Sequence, residues 1–345
     1  MKKRLSFLTM FLITLFVGMT PITGISDSND FLETCSIFSI SVGDTVYFGS
    51  NEDFLLDRTY AWFVPRQNYN ISNQILNLPG VMLLGFDHNN HIVDGKFQGG
   101  MNEYGLCWDS NGLPPVSMYW NMSGKEVWYF NYSIWIWMQP LLECQNVDDV
   151  INWFNTYNLG DVYGGQSHFC DAEGNAVVVS VNSTGNFTYT TMGTNSFLVS
   201  TNFNVAWPDN HYDPYPCERY SKVTTMLEEL DTEEELTAKA CQDVLEAVAV
   251  GQTSYSNVFD PVHQEMYLNI YQDFSKTAKV NLHDELAKIT PTDKNTLFHD
   301  SYYYQQIPLT NLFKKIPGYS TIILAVSSIL AVYGLVLFFS RKKLR

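Results

Sequence analysis

The chain has 345 residues, of which 46% are hydrophobic and 15% aromatic, and its formal net charge is −16. This is enough chain for one large domain or two small ones with a substantial core. Seven of the 20 basic residues lie in the first four and last five positions, so the region between holds 36 acidic and only 13 basic residues. Phosphate binding needs a positive surface, so this balance argues against nucleic acid as a partner and for a solvated acidic exterior.

The N-terminal segment, residues 1–24, has the pattern of a secretory signal. Met1–Arg4 is basic, Leu5–Met19 is apolar, and small residues near Thr23 and Gly24 suit cleavage. The apolar run is shorter than about 18 uninterrupted apolar residues, which favours a cleaved signal over an anchor. Residues 25–34 are polar and lack periodicity, and we interpret them as a spacer or propeptide.

The stretch Cys35–Phe54 predicts a β-hairpin, because Gly43–Asp44 separates two β-prone runs. A two-residue turn at this pair sets the register of the two strands. In that register Cys35 falls opposite Glu52. The return strand therefore carries an amide and a carboxylate back beside the thiol, those of Asn51 and Asp53.

The following chain alternates between strand and helix patterns. Strand-like runs predict strands at Tyr60–Pro65, Val81–Phe86, Leu106–Asp109, His168–Cys170, Ala176–Val181, Phe187–Thr191, Phe197–Thr201, Val258–Asp260, Met266–Tyr271 and Val280–Leu282. A turn is expected at Gly99–Gly105. Helices are predicted from Asn146 to Asn155, over Glu218–Leu230, and from a capping box at Thr232–Glu235 onward. The aromatic segment Trp128–Leu142 fits a buried helix or a substrate wall, and core packing is the simpler reading. Strands that flank a helical block indicate an α+β layered domain, which we place at 35–312.

The C-terminal segment predicts a membrane anchor. Thr321–Phe339 has 19 residues without a charge, and the basic tail 341–345 follows it. This pattern predicts one transmembrane helix at 320–340 after a linker at 313–319, with the tail in the cytoplasm. The lipid bilayer would then be a partner, and the catalytic domain of this single-pass cell-membrane protein would be extracellular. A buried soluble helix is the alternative.

The six cysteines leave two arrangements open. An exported protein could pair them as three disulfides, whereas a catalytic Cys35 would leave at least one other cysteine unpaired. No C-x₂₋₄-C spacing occurs, so the usual zinc pattern is absent. We expect no metal and no cofactor. His168 is interpreted as a hydrogen-bonded sheet histidine rather than a catalyst.

The start of the hairpin offers a complete nucleophile. If the chain is cut between Thr34 and Cys35, that cysteine carries a thiol and a free α-amine with a pKa of about 8. The amine can take the thiol proton without a histidine. Asp53 could then hold the amine, and Asn51 could orient the neighbouring backbone. A structural disulfide or a lipid-attachment cysteine are the alternatives for Cys35.

Five blocks carry a resemblance to a known family, and they occur in the family's order. They are CSIFSISVGDTVYFGSNEDF (35–54), GGMNEYGLCWDSNG (99–112), HFCDAEGNAVVVSV (168–181), LVSTNF (198–203) and CERYSKVTTML (217–227). The chain, from residue 35 to about 297, resembles the N-terminal nucleophile (Ntn) hydrolases of the choloylglycine hydrolase and penicillin V acylase group. It is also similar to the related acyltransferase-like peptidases and N-acylethanolamine amidases.

The resemblance implies roles for five residues. It makes Cys35 the nucleophile, Asp53 the contact of its amine, Asn202 an oxyanion donor, and Arg219 a charge that positions the nucleophile. Asn111 is the candidate second oxyanion donor, although it sits one residue short of the family spacing. Asp109 is an alternative neighbour of the site.

One position departs from the family pattern. The bile salt hydrolase branch has arginine directly before its Asn-x-Asp, where this chain has Ser50. The loss of that positive charge argues against bile-salt-like substrates and moves the chain toward the acyltransferase-like amidases.

The resemblance also implies a fold and an activity. The fold would be a four-layer αββα sandwich, and processing would expose Cys35 and discard residues 25–34. The activity would be hydrolysis of linear, non-peptide C–N amide bonds of a small N-acyl compound through a thioester acyl-enzyme. The alternatives are an acyltransferase that uses the same acyl-enzyme, or an inactive surface-anchored binding domain.

Overall fold

The computed structural model describes residues 34–54, 58–71, 74–86, 96–118, 126–127, 138–159, 162–213, 215–289, 294–295, 302–303 and 305–313. In chain order the strands are β1 (Thr34–Val42), β2 (Thr45–Asp53), β3 (Thr59–Val64), β4 (Gln67–Ile71), β5 (Gln74–Leu78), β6 (Val81–Phe86), β7 (Lys96–Asn102), β8 (Cys107–Asn111), β9 (Val116–Ser117), β10 (Glu126–Val127), β11 (Tyr157–Asn158), β12 (Val162–Tyr163), β13 (Gln166–Cys170), β14 (Ala176–Val181), β15 (Phe187–Thr191), β16 (Phe197–Ser200), β17 (Phe203–Asn204), β18 (Trp207–His211), β19 (Tyr255–Asp260), β20 (Glu265–Ile270), β21 (Ala278–Asn281), β22 (Lys294–Asn295), β23 (Tyr302–Tyr303) and β24 (Gln305–Pro308). The helices are α1 (Gln139–Glu143), α2 (Val147–Thr156), α3 (Glu218–Leu227), α4 (Ala238–Val248), α5 (Leu282–Leu286) and α6 (Leu309–Leu312).

Two antiparallel sheets form the centre of the fold. The six-stranded sheet has the order β16-β1-β2-β19-β20-β21, and the eight-stranded sheet has the order β15-β14-β13-β8-β7-β6-β3-β24. Successive side chains of a strand point to opposite faces, so a strand buried on both faces needs apolar residues at consecutive positions. In β3, Trp62 belongs to one core and Phe63 to the next.

The fold has four layers, two sheets and a pair of helices on the outer face of each sheet, and three apolar cores lie between them. The middle core lies between the sheets and joins residues such as Phe48 of one sheet to Met101 of the other. A second core packs α3 and α4 on the outer face of the six-stranded sheet, and a third packs α1 and α2 on the outer face of the eight-stranded sheet. The predicted α+β sandwich with αββα layers is therefore confirmed.

The helix at residue 146 starts as its sequence predicts. The Asn146 side chain accepts a hydrogen bond from the backbone of Asp149 at 2.9 Å, and Asp148 also lies in the first turn. Acidic residues at this end are stabilised by the helix dipole.

Two boundary predictions were wrong. The capping box of Thr232 and Glu235 forms, but it closes a single turn, and α4 begins only after a second cap at Thr237. The predicted turn at Gly99–Gly105 is largely strand β7. A Cβ at Gly100 would lie 2.5 Å from a backbone oxygen of β6, so this glycine permits close strand packing rather than a turn.

Several predicted segments lie outside the described residues. These are the signal at 1–24, the spacer at 25–33, most of the aromatic segment at 128–137, and the linker, membrane helix and basic tail from 314 onward. Among the residues that are described, no helix is long and apolar enough to cross a membrane.

His168 joins the two sheets. It lies on β13, is fully buried, and its two ring nitrogens are 3.0 Å from the hydroxyls of Ser39 on β1 and Ser200 on β16. Phe48 meets the ring edge-on at 5.4 Å between centroids. Burial lowers the pKa of His168 to about 3. The neutral ring therefore acts as a structural link beneath β1, the strand that contains Cys35.

Protonation of His168 should destabilise the fold in mild acid. Its folded pKa lies below the value of about 6.5 in the unfolded chain, so the unfolded chain binds the proton first and stability falls as pH drops below about 6.5. The slope approaches about 1.4 kcal/mol per pH unit. Urea unfolding at pH 7, 6, 5 and 4.5 should show the stability gap between wild type and His168→Gln shrinking at about that rate. A gap that stays constant with pH would contradict the buried neutral ring.

Candidate active site

The β1–β2 hairpin has the register predicted from its turn. Gly43 adopts a positive φ of 58° in the two-residue turn, and Cys35 pairs with Glu52. A side chain at residue 43 would be disfavoured by that φ and would also meet the Glu233 carboxylate, which accepts a hydrogen bond from the Asp44 backbone. The turn therefore places the acidic end of β2 beside the thiol.

Three other candidates contact Cys35 directly. The Cys35 nitrogen donates to Asn202 Oδ1 at 2.9 Å. Its carbonyl oxygen accepts from Arg219 Nη1 at 2.6 Å and from Asn111 Nδ2 at 3.4 Å. Its thiol donates to Glu52 Oε2 at 3.6 Å. Cys35 is only 6% exposed, so these contacts enclose both its backbone and its side chain.

Arg219 is the central cation of the site. It extends from the first turn of α3, where Nη1 also donates to Ser36 Oγ at 2.7 Å. Nη2 donates to Asn202 Oδ1 at 3.0 Å and to Asp213 Oδ2 at 2.5 Å. The planar guanidinium can reach all these acceptors at once, which an ammonium could not do. Asp213 and Asp53, the latter 3.7 Å away, balance its charge.

The orientation of the Asn202 amide follows from its neighbours. Two donors, the Cys35 nitrogen and Arg219, point at one side-chain atom, which must therefore be the oxygen. The Nδ2 group faces the other way and donates to the Gly112 carbonyl at 3.1 Å. Asn202 thus holds the backbone nitrogen of the nucleophile through its amide oxygen, while its amide donor binds the Gly112 carbonyl.

Asn111 and Asp109 both lie on β8 and point to different parts of the site. Asn111 accepts from Gln166 at 3.4 Å and donates to Cys35, so it lies beside the backbone of the nucleophile. Asp109 lies beside Ser50 and Glu52 instead. Burial raises the pKa of Asp109 well above its usual range, and hydrogen bonding to Ser50 is the largest opposing effect.

Asp53 is a buried carboxyl held at the end of β2. Thr253 donates to its Oδ1 at 2.5 Å, while its Oδ2 accepts no hydrogen bond within the described part of the chain. Burial raises the pKa of Asp53 to about 6, and Thr253 and Arg219 oppose that rise. The free lone pairs on Oδ2 leave room for one further donor.

The structure thus brings all five predicted site residues together, and their catalytic roles stay predictions. The hairpin register predicted from the sequence put Glu52 opposite Cys35, but no catalytic or binding role was predicted for Glu52. It missed Asp213 and Thr253 altogether. Asp213 is held because its backbone, like that of Tyr212, donates to the Asn202 carbonyl. No short-range pattern marks these two residues, because Asp213 lies in an irregular segment before α3 and Thr253 meets Asp53 only through the pairing of β19 with β2.

The cysteines form no disulfide. All six lie in the described residues and are buried. Burial raises the thiol pKa of the adjacent strand pair Cys107 and Cys170 well above its usual range. The predicted alternative of three disulfides is therefore not what the structure shows.

Comparison with known proteins gives a match in fold. No protein-family model matches the chain, and no curated protein matches it. An arginine-to-leucine variant of conjugated bile acid hydrolase from Clostridium perfringens matches with a TM-score of 0.52 and 15% identity, over 79% of this chain and 97% of that chain. A cysteine-to-alanine variant of the same hydrolase gives a TM-score of 0.52 and 15% identity, over 79% and 96%. Penicillin V acylase from Agrobacterium tumefaciens gives 0.50 and 14%, over 71% and 84%.

The chain has an Ntn-hydrolase fold. The matched structures are an amide hydrolase and an acylase of the group that the five sequence blocks resemble. At 14–15% identity the likeness concerns the fold alone. The fold expectation drawn from the sequence is therefore confirmed independently of any catalytic residue.

Arg219 should be the most sensitive cation in the domain. Arg219→Lys removes the fork that joins four acceptors and leaves buried acceptors unsatisfied, so we expect a loss of about 2–4 kcal/mol in the free energy of unfolding. Arg66→Lys is the matched control, because Arg66 pairs with Glu103 at an exposed position; we expect about 1 kcal/mol or less there. Urea denaturation measures both, and equal losses would contradict the role given to Arg219.

Proposed function

We propose that the chain is a cysteine Ntn amidohydrolase that cleaves the linear C–N amide bond of a small N-acyl compound. One observation carries the proposal: Arg219, Asn202 and Asn111 converge on the backbone of Cys35 at the start of β1. These donors and acceptors are gathered around a main-chain nitrogen and carbonyl, which is where an N-terminal nucleophile needs them. The shared fold of two amide-cleaving enzymes supports the same activity.

The mature nucleophile would supply its own base. Cleavage before Cys35 converts its nitrogen into an α-amine, which takes the thiol proton as Sγ attacks the substrate carbonyl carbon. The tetrahedral intermediate collapses, the C–N bond breaks, and the amine product leaves with that proton. Water then attacks the thioester, the α-amine takes its proton, and the carboxylic acid and the thiol are released.

Two amides and one carboxylate would support these steps. The Nδ2 groups of Asn202 and Asn111 are candidate oxyanion donors, and loss of one such donor typically costs about 10²–10³ in rate. Asp53 Oδ2, which has room for a donor, would accept from the new α-ammonium. That opposite charge would return the Asp53 pKa toward the ordinary carboxyl range. Arg219 would keep the cysteine carbonyl in place.

For the acyl group and the amine of the substrate, the site gives only an exclusion, that of a carboxylate beside the thiol. Ser50 provides no cation beside the thiol, and the neighbouring Glu52 and Asp109 are acidic, so a substrate carboxylate at this position would be disfavoured. If an amine intercepts the thioester before water does, the same site is an acyltransferase. A binding domain without activity would keep the fold and leave the thioester unformed.

The nucleophile can be tested with Cys35→Ala. In a chain that begins at residue 35, hydrolysis of fluorogenic coumarin amides of phenylacetic and octanoic acids should fall by at least about 10³ in kcat/KM when the thiol is absent. Cys241→Ala is the control, because Cys241 lies in α4 away from the site. Acid-quenched intact-mass spectra should show an added acyl group on wild type and on Cys241→Ala but not on Cys35→Ala. Hydrolysis that survives Cys35→Ala would refute the mechanism.

The fate of the acyl-enzyme separates hydrolase from acyltransferase. Hydroxylamine added to the assay should give a minor hydroxamate product, and water should remain the main acceptor. Dominant transfer to physiological amines, with negligible hydrolysis in their absence, would favour the acyltransferase.

We further propose that the domain is exported and anchored by one C-terminal helix. This rests on the sequence patterns at residues 1–24 and 320–340. In a cell fraction, the full chain should stay in the membrane pellet after alkaline carbonate washing, whereas a chain ending at residue 313 should be released. Release of the full chain by carbonate would contradict the anchor.

A further inference from the structure

Glu52 is a buried carboxyl beside the nucleophile that the proposed turnover does not use. It lies opposite Cys35 in the hairpin and accepts the thiol hydrogen bond at 3.6 Å. In the described state Thr34 precedes Cys35 in the same strand, so the cysteine nitrogen is an amide that donates to Asn202. An amide nitrogen cannot take the thiol proton. The precursor therefore lacks the base that the mature chain would have.

The other groups around the thiol are poor proton acceptors. Tyr255 faces Glu52 across the sheet, and its hydroxyl donates to Gln98 at 3.0 Å. Burial and then the negative charges of Glu52, Asp109 and Cys35 raise the pKa of Tyr255, so it stays protonated. Asp53 is the next residue of β2 and points to the opposite face of the strand from Glu52, and Arg219 is a cation. Glu52 is the carboxylate that the structure brings to Sγ.

Glu52 shares its buried position with a second carboxyl group, that of Asp109. Asp109 lies close to it from the other sheet, and two buried carboxyls in contact hold one proton between them. One carboxylate therefore remains in the pair, and Glu52 is the member whose Oε2 lies 3.6 Å from Sγ. Ser50 Oγ, 3.5 Å from Oε1, supplies a neutral hydrogen bond and no opposing charge.

We propose that Glu52 is the general base of self-cleavage at the Thr34–Cys35 bond, a step that precedes and rests on the proposed amidase function. Glu52 takes the Sγ proton, and the thiolate attacks the Thr34 carbonyl carbon. As the C–N bond breaks, Glu52 returns the proton to the departing nitrogen, which becomes the α-amine of Cys35. Water hydrolyses the thioester, releases the Thr34 carboxylate and restores the thiol. Glu52 thus acts once, before the amine can replace it.

The test uses Glu52→Gln, which keeps size and hydrogen bonding but cannot accept the proton. Full-length precursor is made by cell-free translation with purified components in detergent, and intact-mass spectrometry follows the chains that begin at Cys35. We expect Glu52→Gln to slow their appearance by at least about 10²-fold. Glu285→Gln is the matched control, because Glu285 is a buried carboxyl on α5 that pairs with Lys288 instead of the thiol, and its rate should stay within about twofold of wild type.

A second form of the variant separates processing from folding. Glu52→Gln is also released from a fusion with Cys35 as its first residue, and its hydrolysis of the coumarin amides, relative to the wild-type form made in the same way, should fall by a clearly smaller factor than self-cleavage does. Normal self-cleavage of Glu52→Gln overturns the proposal, as does a wild-type precursor that never cleaves itself. Equal losses in cleavage and in hydrolysis by the released form also overturn it. The amidase proposal fails by a different result, namely a released wild-type chain without Cys35-dependent hydrolysis.

Discussion

The contact between Arg219 and the Cys35 carbonyl holds the candidate site together. One guanidinium, only slightly exposed, joins the first helix of an outer layer to the first strand of a central sheet. A buried cation is costly unless its donors are matched and its charge is balanced. Asn202 and Ser36 match the donors, and Asp213 and Asp53 balance the charge. Each of these groups is in turn held by the backbone of β1, β2 or the loop after β16, so the site and the fold constrain one another.

The parts of the site that sequence could predict are those fixed over a short range. The Gly43–Asp44 turn sets a two-residue connection, and every pair of the hairpin, down to Cys35 opposite Glu52, follows by counting. Asn146 likewise predicts the start of its helix from its own side chain. Asp213 and Thr253 could not be predicted in this way, because Asp213 is positioned by the Asn202 carbonyl, which accepts from its backbone, and Thr253 reaches Asp53 only when β19 pairs with β2. The late start of α4 shows the same limit. Thr232 and Thr237 are both possible N-caps in the sequence, and the helix begins at the one that is followed by its buried face.

The position of Ser50 shows how a small side chain changes the chemistry around it. The resemblance places an arginine there, whose charge would neutralise the adjacent carboxyls. Serine leaves Glu52 and Asp109 to share a proton in a dry environment, where the interaction of charges is strong. A thiol next to such a pair is disfavoured as a thiolate until a proton acceptor is engaged. The same replacement therefore accounts for two inferences: the exclusion of a substrate carboxylate and the availability of a carboxylate base.

The proposed order, self-cleavage before amide hydrolysis, follows from whether the Cys35 nitrogen is a backbone amide or a free α-amine. While Thr34 is attached, Cys35 is nearly fully buried and its amide donates one hydrogen bond to Asn202. Removal of Thr34 ends its strand pairing with Asp53 and converts the same nitrogen into a group with three donors when protonated. Asn202 Oδ1 can keep one of them, and the unsatisfied Oδ2 of Asp53 offers an acceptor to another. Under the proposed function, cleavage of this single bond would therefore open the strand end, create the base for turnover and give a donor to the Asp53 oxygen that lacks a hydrogen bond in the described part of the chain.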